Sequence, residues 1–127
     1  MFEARNAMWT RYLALEEPFG TLTVADHDGR IVGFSFSGPA RGPDAEKGFE
    51  PARDLQLFSI YLLAVEQGAG VGARLLHAAI QDQPAQLWVA SRNTPAIDFY
   101  RHHGFESDGI EYADPSIADL VEVRMVR

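Results

Sequence analysis

Six residues, Gln67 to Gly72, have the composition of an anion-binding turn. They read Gln-Gly-Ala-Gly-Val-Gly and stand between an apolar segment and an amphipathic one. Glycines let backbone N–H groups approach an anion closely, and the N-terminus of a following helix is positive. We therefore predict that this turn holds the pyrophosphate of a cofactor, and that the strand before it positions the cofactor's reactive group.

The turn alone does not distinguish a dinucleotide from a nucleoside triphosphate or from coenzyme A. A Rossmann dinucleotide site needs Gly-x-Gly-x-x-Gly and an acidic residue about 20 positions later, and the sequence has neither. A Walker phosphate loop needs Gly-Lys-Ser/Thr, whereas the cation near this turn is Arg74. A Gly-x-Gly-x-Gly turn is also compatible with a plain strand-to-helix corner.

The composition excludes several other chemistries. The 127 residues contain no cysteine, so disulfides, thiolate zinc sites and a cysteine nucleophile are excluded. The four histidines lack the spacing of ligands on a helix face, so we expect no metal site. A net charge of -7 argues against a nucleic-acid partner. Without a signal-peptide pattern or a membrane-length apolar run, we expect a single cytoplasmic domain over 1–127 with no membrane partner.

The elements that must position the turn alternate between strand and helix. The nearly continuous apolar residues 55–63 predict a strand at the centre of a sheet. After the turn, apolar residues at helical spacing predict a helix that begins near Val71 and stops before Pro84. Residues 86–90 predict the next strand, which gives a right-handed βαβ unit with parallel strands. A second helix follows; Asn93 or Thr94 caps it, and it ends at Gly104.

The flanking segments complete an α/β pattern. We predict a helix over residues 3–17, a tight hairpin of residues 21–25 and 31–36 around Asp28-Gly29, and final strands from Phe105 onward and over 120–126. The long segment 37–54 carries three prolines and three glycines, which fits either a binding loop or a plain connector.

A combination of motifs resembles the GCN5-related N-acetyltransferase (GNAT) family. Gln67, Gly70 and Gly72 form Q-x-x-G-x-G after a buried strand, Asn93 follows the next strand, and FYRHHGF spans Phe99 to Phe105. The resemblance covers residues 21–127, including the closing EVRMVR. It implies a mixed sheet whose strands at 55–63 and 86–90 splay apart, with flanking helices.

The resemblance implies acetyl-CoA as cosubstrate and a direct attack by an amine acceptor on the thioester. It places the pantetheine arm against the backbone of Ile60, Tyr61 and Leu62, one of whose N–H groups would polarise the thioester carbonyl. It makes Asn93 a contact to that arm and Tyr100 the general acid for the departing thiolate. The pyrophosphate would lie on Gln67, Gly68, Ala69, Gly70, Val71, Gly72 and Ala73. Tyr100 is equally compatible with simple packing on an amphipathic helix.

The chain departs from the family pattern at three places. Where many members carry a carboxylate on the central strand, this chain has Gln56, and the other common position holds Ser91. The base would then be a water held by Ser59, Tyr61 or Gln56, or one of the loop acids Glu46, Glu50 and Asp54. Ala69 replaces a common Lys or Arg, for which Arg74 could substitute.

The third departure is at the front, where the usual first strand and first helix are missing. A natural minimal form, a truncated start and completion by a partner subunit are each compatible with this. Because a missing strand exposes a sheet edge, we predict a homodimer. The predicted function is N-acetylation of a primary amine on a small molecule or protein; the alternative is a non-catalytic acyl-CoA-binding or regulatory module.

Overall fold

Strands make up most of the described chain. The structure, a computed structural model, describes residues 10–17, 20–40, 47–63, 68 and 70–127. The elements are β1 (Thr10–Glu17), β2 (Gly20–His27), β3 (Arg30–Pro39), β4 (Leu55–Leu62), α1 (Val71–Ile80), β5 (Gln86–Ala90), α2 (Thr94–His102), β6 (Glu106–Ala113) and β7 (Val121–Val126). This succession confirms the predicted α/β class. Within the described residues, neither helix is both long and apolar enough to cross a membrane.

The chain divides into two compact units. The first comprises Met1–Gly38 and Leu57–Gln83 and contains neighbouring strands in the order β1-β2-β3-β4 together with α1. The second comprises Pro39–Gln56 and Pro84–Arg127 and contains strands in the order β5-β7-β6 together with α2. The first two residues of β4 thus group with the second unit.

The predicted hairpin is confirmed as β2 and β3. Asp28 and Gly29 have φ angles of 58° and 84°, and His27 pairs with Arg30 across them. Two successive positive φ angles define the turn that matches the right-handed twist of a hairpin. The Asp26 carboxylate accepts a hydrogen bond from the Gly29 N–H at 2.9 Å and so closes the turn.

The helix predicted over residues 3–17 is wrong for Thr10–Glu17, which form β1; residues 1–9 lie outside the described chain. β1 pairs antiparallel with β2 along its whole length, from Thr10 opposite His27 to Glu17 opposite Gly20. Tyr12 packs on the core from this strand, while Leu13 remains 49% exposed. Continuous cross-strand pairing outweighs a local helical pattern, because intrinsic propensity is a weak preference.

In the first unit, α1 is fixed to β3 through both apolar and polar contacts. Ala25, Val32, Val71 and Leu75 form the buried core. The Ser35 and Ser37 hydroxyls donate to the carbonyls of Leu75 and Ala79 at 2.9 and 2.6 Å. Two residues of strand rise about 6.6 Å and four residues of helix about 6.0 Å, so the two spacings match. The serines therefore fix the position of α1 along β3.

The second unit is built on three antiparallel strands. β5 and β6 each pair antiparallel with β7. Its fully buried apolar residues include Leu87, Phe105 and Met125. Gln86 and Arg124 are buried in the same strands. Both polar side chains bind loop backbone.

Candidate functional site

The glycine turn before α1 is open on its outer side. Gly68 and Gly70 have φ angles of 89° and 82°, and a Cβ added at either would meet no atom within 4 Å. Such angles favour glycine, and the open space leaves the backbone accessible. Of the predicted pyrophosphate-binding residues, Gln67 and Ala69 lie outside the described residues.

The N-terminus of α1 has the features of an anion site. Gly70 is the N-cap and supplies no side-chain cap, and the first turn carries no acidic residue. The first helical hydrogen bond runs from the Arg74 N–H to the Gly70 carbonyl at 3.1 Å, so the N–H groups of Val71, Gly72 and Ala73 precede it. N–H groups in this position lack helical partners and attract anions, and the exposed Arg74 adds a nearby cation.

The end of β4 lies in the same unit as this helix. Ile60 and Leu62 pack against the core cluster that contains Val71. The Tyr61 side chain is 53% exposed, and its ring centroid lies 5.9 Å from that of Phe34. The residues predicted to bind the thioester and the first residue of α1 therefore pack in the same core.

Close approach of β3 supports the end of β4. A Cβ added to Gly33 would lie 2.6 Å from the Tyr61 carbonyl oxygen, a distance that real Cβ atoms do not adopt. The Leu63 N–H donates to the Val32 carbonyl at 2.9 Å beside it. Glycine at position 33 is therefore required by its neighbours, which its place in an apolar strand did not reveal.

The second unit contains Asn93 and Tyr100 on the same helix. The Asn93 carboxamide oxygen accepts a hydrogen bond from the Ala96 N–H at 3.3 Å, so Asn93, rather than Thr94, caps α2. Tyr100 is only 8% exposed, and its ring contacts Phe99 and Phe105 with centroids 5.5 and 5.9 Å apart. Burial raises the pKa of Tyr100 to about 12, so its hydroxyl is protonated at neutral pH.

The residues that end α2 hold Tyr100 in place. Gly104 has a φ of 95°, its N–H donates to Arg101, and the Phe105 N–H donates to the Tyr100 carbonyl, both at 3.0 Å. These two bonds form a Schellman motif, in which the residue after the glycine also packs back on the helix. The predicted C-terminal glycine is confirmed, and Phe105 holds the Tyr100 ring.

Gln56, at the position where a carboxylate was sought, belongs to a buried amide network. Its side-chain oxygen accepts from the Gln86 Nε2 at 3.0 Å. The Gln86 Oε1 in turn accepts from the N–H groups of Ala52 and Arg53 at 2.6 and 3.0 Å. Both glutamines are almost fully buried. This network holds the loop before β4, and no sequence motif predicts it.

Two arginines add to this attachment of the loop, and a cavity lies beside it. Arg53 donates to the Arg127 carbonyl at 2.9 Å, and Arg124 donates to the Glu50 carbonyl at 2.8 Å. The cavity has a volume of about 710 Å³ and is lined by Pro39, Ala40, Phe49, Glu50, Pro51, Arg53 and Asp54. Two of the predicted base candidates, Glu50 and Asp54, therefore lie in one cavity, whereas Glu46 lies outside the described residues.

No group of three or more histidine, aspartate or glutamate side chains among the described residues could hold a metal ion. Ser59, another candidate for positioning a water, is exposed on β4.

Comparison with known proteins identifies the family. An acetyltransferase (GNAT) domain model matches residues 18–107. An uncharacterised N-acetyltransferase of Mycobacterium tuberculosis strain H37Rv is 34% identical over 110 residues, which are 82% of this chain and 63% of that protein. The chain therefore spans less than two thirds of this relative's length.

Solved structures share the fold. Arabidopsis thaliana Naa50 in complex with the bisubstrate analogue CoA-Ac-MVNAL has a TM-score of 0.65 at 21% identity, covering 84% of this chain and 71% of that chain. Nourseothricin acetyltransferase has a TM-score of 0.64 at 20% identity, covering 93% of this chain and 83% of that one. The domain match over residues 18–107, which is more than half of the sequence, shows that the chain belongs to the GNAT acetyltransferase family.

Proposed function

We propose that the protein is an acetyl-CoA-dependent N-acetyltransferase that acts on a primary amine. The observation that carries this proposal is the open glycine turn, which leads into a helix whose first N–H groups have neither a side-chain cap nor an acidic neighbour. Family membership supports the same cosubstrate. Acetyl-CoA supplies an acetyl group already activated as a thioester.

In this proposal the first unit binds the cosubstrate. The segment Gln67–Ala73 holds the pyrophosphate through backbone N–H groups, and Arg74 adds charge. The backbone of Ile60, Tyr61 and Leu62 pairs with the pantetheine arm, and one N–H polarises the carbonyl. Asn93 contacts the arm; its side-chain oxygen already accepts a hydrogen bond as the cap of α2, so its amide nitrogen is the group that donates.

Tyr100 acts on the leaving sulfur as a hydrogen-bond donor. Burial raises its pKa to about 12, whereas a thiol titrates near about 8.5. Complete transfer of the phenolic proton to a thiolate is therefore uphill, and a strong hydrogen bond to the developing charge is favoured over full protonation. This refines the role of general acid that the sequence predicts.

The acceptor is a primary amine that attacks in its neutral form. A water held by Ser59, Tyr61 or Gln56, or a carboxylate from Glu46, Glu50 or Asp54, removes its proton. Glu50 and Asp54 are the preferred candidates, because they line a cavity of about 710 Å³. One fold neighbour was solved with the analogue CoA-Ac-MVNAL and another is a nourseothricin acetyltransferase, so both peptide and small-molecule amines belong in the assay panel.

A second candidate function is acyl-CoA binding without catalysis. The buried Gln56 favours it, since an amide engaged with Gln86 replaces a carboxylate there. Release of free CoA thiol against a panel of amines tests both functions. Thiol release that depends on an amine supports the enzyme, whereas micromolar acetyl-CoA binding without turnover on any amine supports the binding module. Absence of acetyl-CoA binding contradicts both.

We also propose a cytoplasmic location and a homodimer. The dimer rests on β1 being the last of the described strands in the order of the first unit.

A further inference from the structure

The chain has one lysine, Lys47, and its ammonium group is surrounded by three side chains of the second unit. The Lys47 Nζ lies 3.2 Å from the Glu122 Oε1. It lies 4.8 Å from the ring centroid of Tyr112 and 5.4 Å from that of Trp88. Aromatic faces and a carboxylate around one cation form the arrangement by which proteins recognise ammonium groups. We call Trp88, Tyr112 and Glu122 the ammonium cage.

The cage is built by strands and does not depend on Lys47 for its shape. Trp88 on β5 pairs with Arg124, and Tyr112 on β6 pairs with Glu122. Arg124 and Glu122 are two residues apart on β7, so all four side chains share one face of the sheet. The Trp88 and Tyr112 rings meet edge to face, with centroids 6.4 Å apart. The site therefore remains formed when its present occupant leaves.

The charges around the cage favour a cation. Arg124 and Asp108 neutralise each other through a 2.7 Å ion pair. Glu122 faces Lys47 directly, and Lys47 contributes to the lowered pKa of Asp114, after the larger effect of hydrogen bonds from Ser116. Without the Lys47 charge, Glu122 and Asp114 would lose their shared cation. A second ammonium group is the natural replacement.

Lys47 can be displaced. The Lys47 and Glu122 side chains remain 19% and 23% exposed, and ion pairs with solvent access are individually weak. Lys47 precedes Gly48, which has a φ of 83° and open space around it. Phe49 then contacts Trp88 at a centroid distance of 5.9 Å and also lines the cavity described above. The cage and the cavity are therefore adjacent through Phe49.

We propose that the ammonium cage binds the ammonium group of an external alkylamine, and that Lys47 occupies the cage as an internal competitor. The recognised ligand carries an unbranched apolar stem, which follows the path of the lysine stem, and a primary ammonium. This inference rests on the proposed function, in which the ligand is the acetyl acceptor. The cage then binds one charged ammonium group of the acceptor, and a second, neutral amine of the same molecule is acetylated. A diamine satisfies both requirements.

The test removes the Lys47 side chain by mutation and adds a small-molecule analogue of that side chain to the solution. In a Trp9→Phe background Trp88 is the remaining indole, and its fluorescence reports the cage. The probe is n-butylammonium chloride, which has the four-carbon stem and ammonium of lysine; 1-butanol is the uncharged control. The Lys47→Ala variant is expected to bind butylammonium at least about tenfold more tightly than the parent with Lys47, and to ignore butanol. Equal affinities in the two proteins, or equal binding of butanol, would overturn the proposal.

A matched pair of variants distinguishes recognition of the ammonium charge from nonspecific filling of the space left by Lys47. Adding Glu122→Gln to Lys47→Ala keeps the shape of the cage but removes its charge, and it is expected to weaken butylammonium binding about tenfold or more. Unchanged binding would show that the cage carboxylate does not recognise the cation, which contradicts the proposal. If Lys47→Ala does not fold, as judged by circular dichroism, Lys47→Gln replaces it with the same expected outcomes.

A turnover assay keeps this inference separate from the proposed function. With an active enzyme, Lys47→Ala should lower the KM for a diamine and leave the KM for butylamine, which has no second ammonium, nearly unchanged. Butylammonium binding in the cage without acetylation of any amine would contradict the proposed function alone. Acetylation of diamines with no effect of Lys47→Ala on either KM or binding would contradict the cage alone.

Discussion

Tyr100 is a buried ionisable group, and its burial links stability to pH. Burial raises its pKa to about 12 in the folded protein, whereas an unfolded tyrosine titrates at about 10. Below pH 10 both states hold the proton, so the contribution is constant. Between about pH 10 and 12 only the folded state holds it, so the free energy of unfolding falls as pH rises.

Between about pH 10 and pH 12 the free energy of unfolding of the parent should fall as its unfolded Tyr100 ionises. We expect this fall to be about 2–3 kcal/mol smaller in Tyr100→Phe. Urea unfolding at a series of pH values measures this difference. Tyr61→Phe is the matched control, since the Tyr61 side chain is 53% exposed, and it should retain the alkaline loss of the parent. Parallel curves for the parent and Tyr100→Phe would show that Tyr100 ionises without a stability cost.

The same substitution tests the proposed chemistry at neutral pH. We expect Tyr100→Phe to reduce kcat by about 10²-fold, the lower range for loss of a positioned proton donor. The KM for acetyl-CoA should change little, because the phenol hydroxyl acts on the leaving sulfur and not on the pyrophosphate. Steady-state release of CoA thiol gives both parameters. An unchanged kcat would remove Tyr100 from the reaction and leave it as a packed aromatic residue.

The Gln56–Gln86 network predicts strong coupling between two buried amides. Gln86→Leu leaves the part-buried N–H groups of Ala52 and Arg53 without their acceptor. A fully buried unpaired group costs about 1–3 kcal/mol, which is the upper limit for each of them. We expect Gln86→Leu to destabilise more than Gln56→Leu, which removes one acceptor. The double variant should be less destabilised than the sum of the two, and urea unfolding of all four proteins measures the coupling. Strict additivity would contradict the network.

Elements whose signal is local could be predicted from the sequence. The Asp28-Gly29 pair specified its hairpin, Gly104 specified the end of α2, and the apolar spacing after Gly70 specified α1. β1 was mistaken for a helix because Tyr12 and Leu15 fit a helical spacing, while the pairing partner that decides the matter is a separate segment, β2. Strand pairing of this kind is not encoded in one window of sequence.

The turn before α1 predicts a graded response to substitution at Gly70. Gly70→Ala and Gly70→Glu share the strain of a φ of 82°, about 1–2 kcal/mol for a residue with a Cβ. Only the glutamate places a negative charge where the pyrophosphate is proposed. We therefore expect Gly70→Glu to weaken acetyl-CoA binding at least about tenfold more than Gly70→Ala, measured by calorimetry.

Gly29→Ala is the matched control for this series, because Gly29 has a φ of 84° and equally open surroundings in the β2–β3 turn. It should lower stability and leave acetyl-CoA affinity unchanged. Equal affinities of the two Gly70 variants would place the pyrophosphate elsewhere.

At the scale of the molecule, the sequence motifs indicated the cosubstrate side better than the acceptor side. Glycines and a capping asparagine follow from short spacings. Gln86 and Arg124 bind the backbone of the loop before β4, and Arg53 from that loop binds the Arg127 carbonyl. The partners are 33 to 74 positions apart in the chain, and no motif marks such pairs. No motif marks Lys47 either, because a single lysine carries no periodicity and its contacts lie on three strands that are distant in sequence.

The proposed homodimer predicts a mass of twice 14.1 kDa in solution. Light scattering after size exclusion at micromolar concentration measures it. Leu13 is 49% exposed on β1, the end strand of its unit, and a lysine on such a strand opposes edge pairing. We expect Leu13→Lys to yield monomer, whereas Ile31→Lys, at a position 65% exposed on the inner strand β3, should not. A monomeric parent would contradict the dimer.

The paired serines of β3 limit how α1 can move. Sliding the helix along the strand would break the Ser35 and Ser37 hydrogen bonds together, and the next matching position lies a full turn away, about 5–6 Å. A displacement smaller than a turn therefore loses both serine hydrogen bonds and forms no new ones. We therefore expect α1, with the N–H groups of its first turn, to keep its position along β3 when a ligand binds.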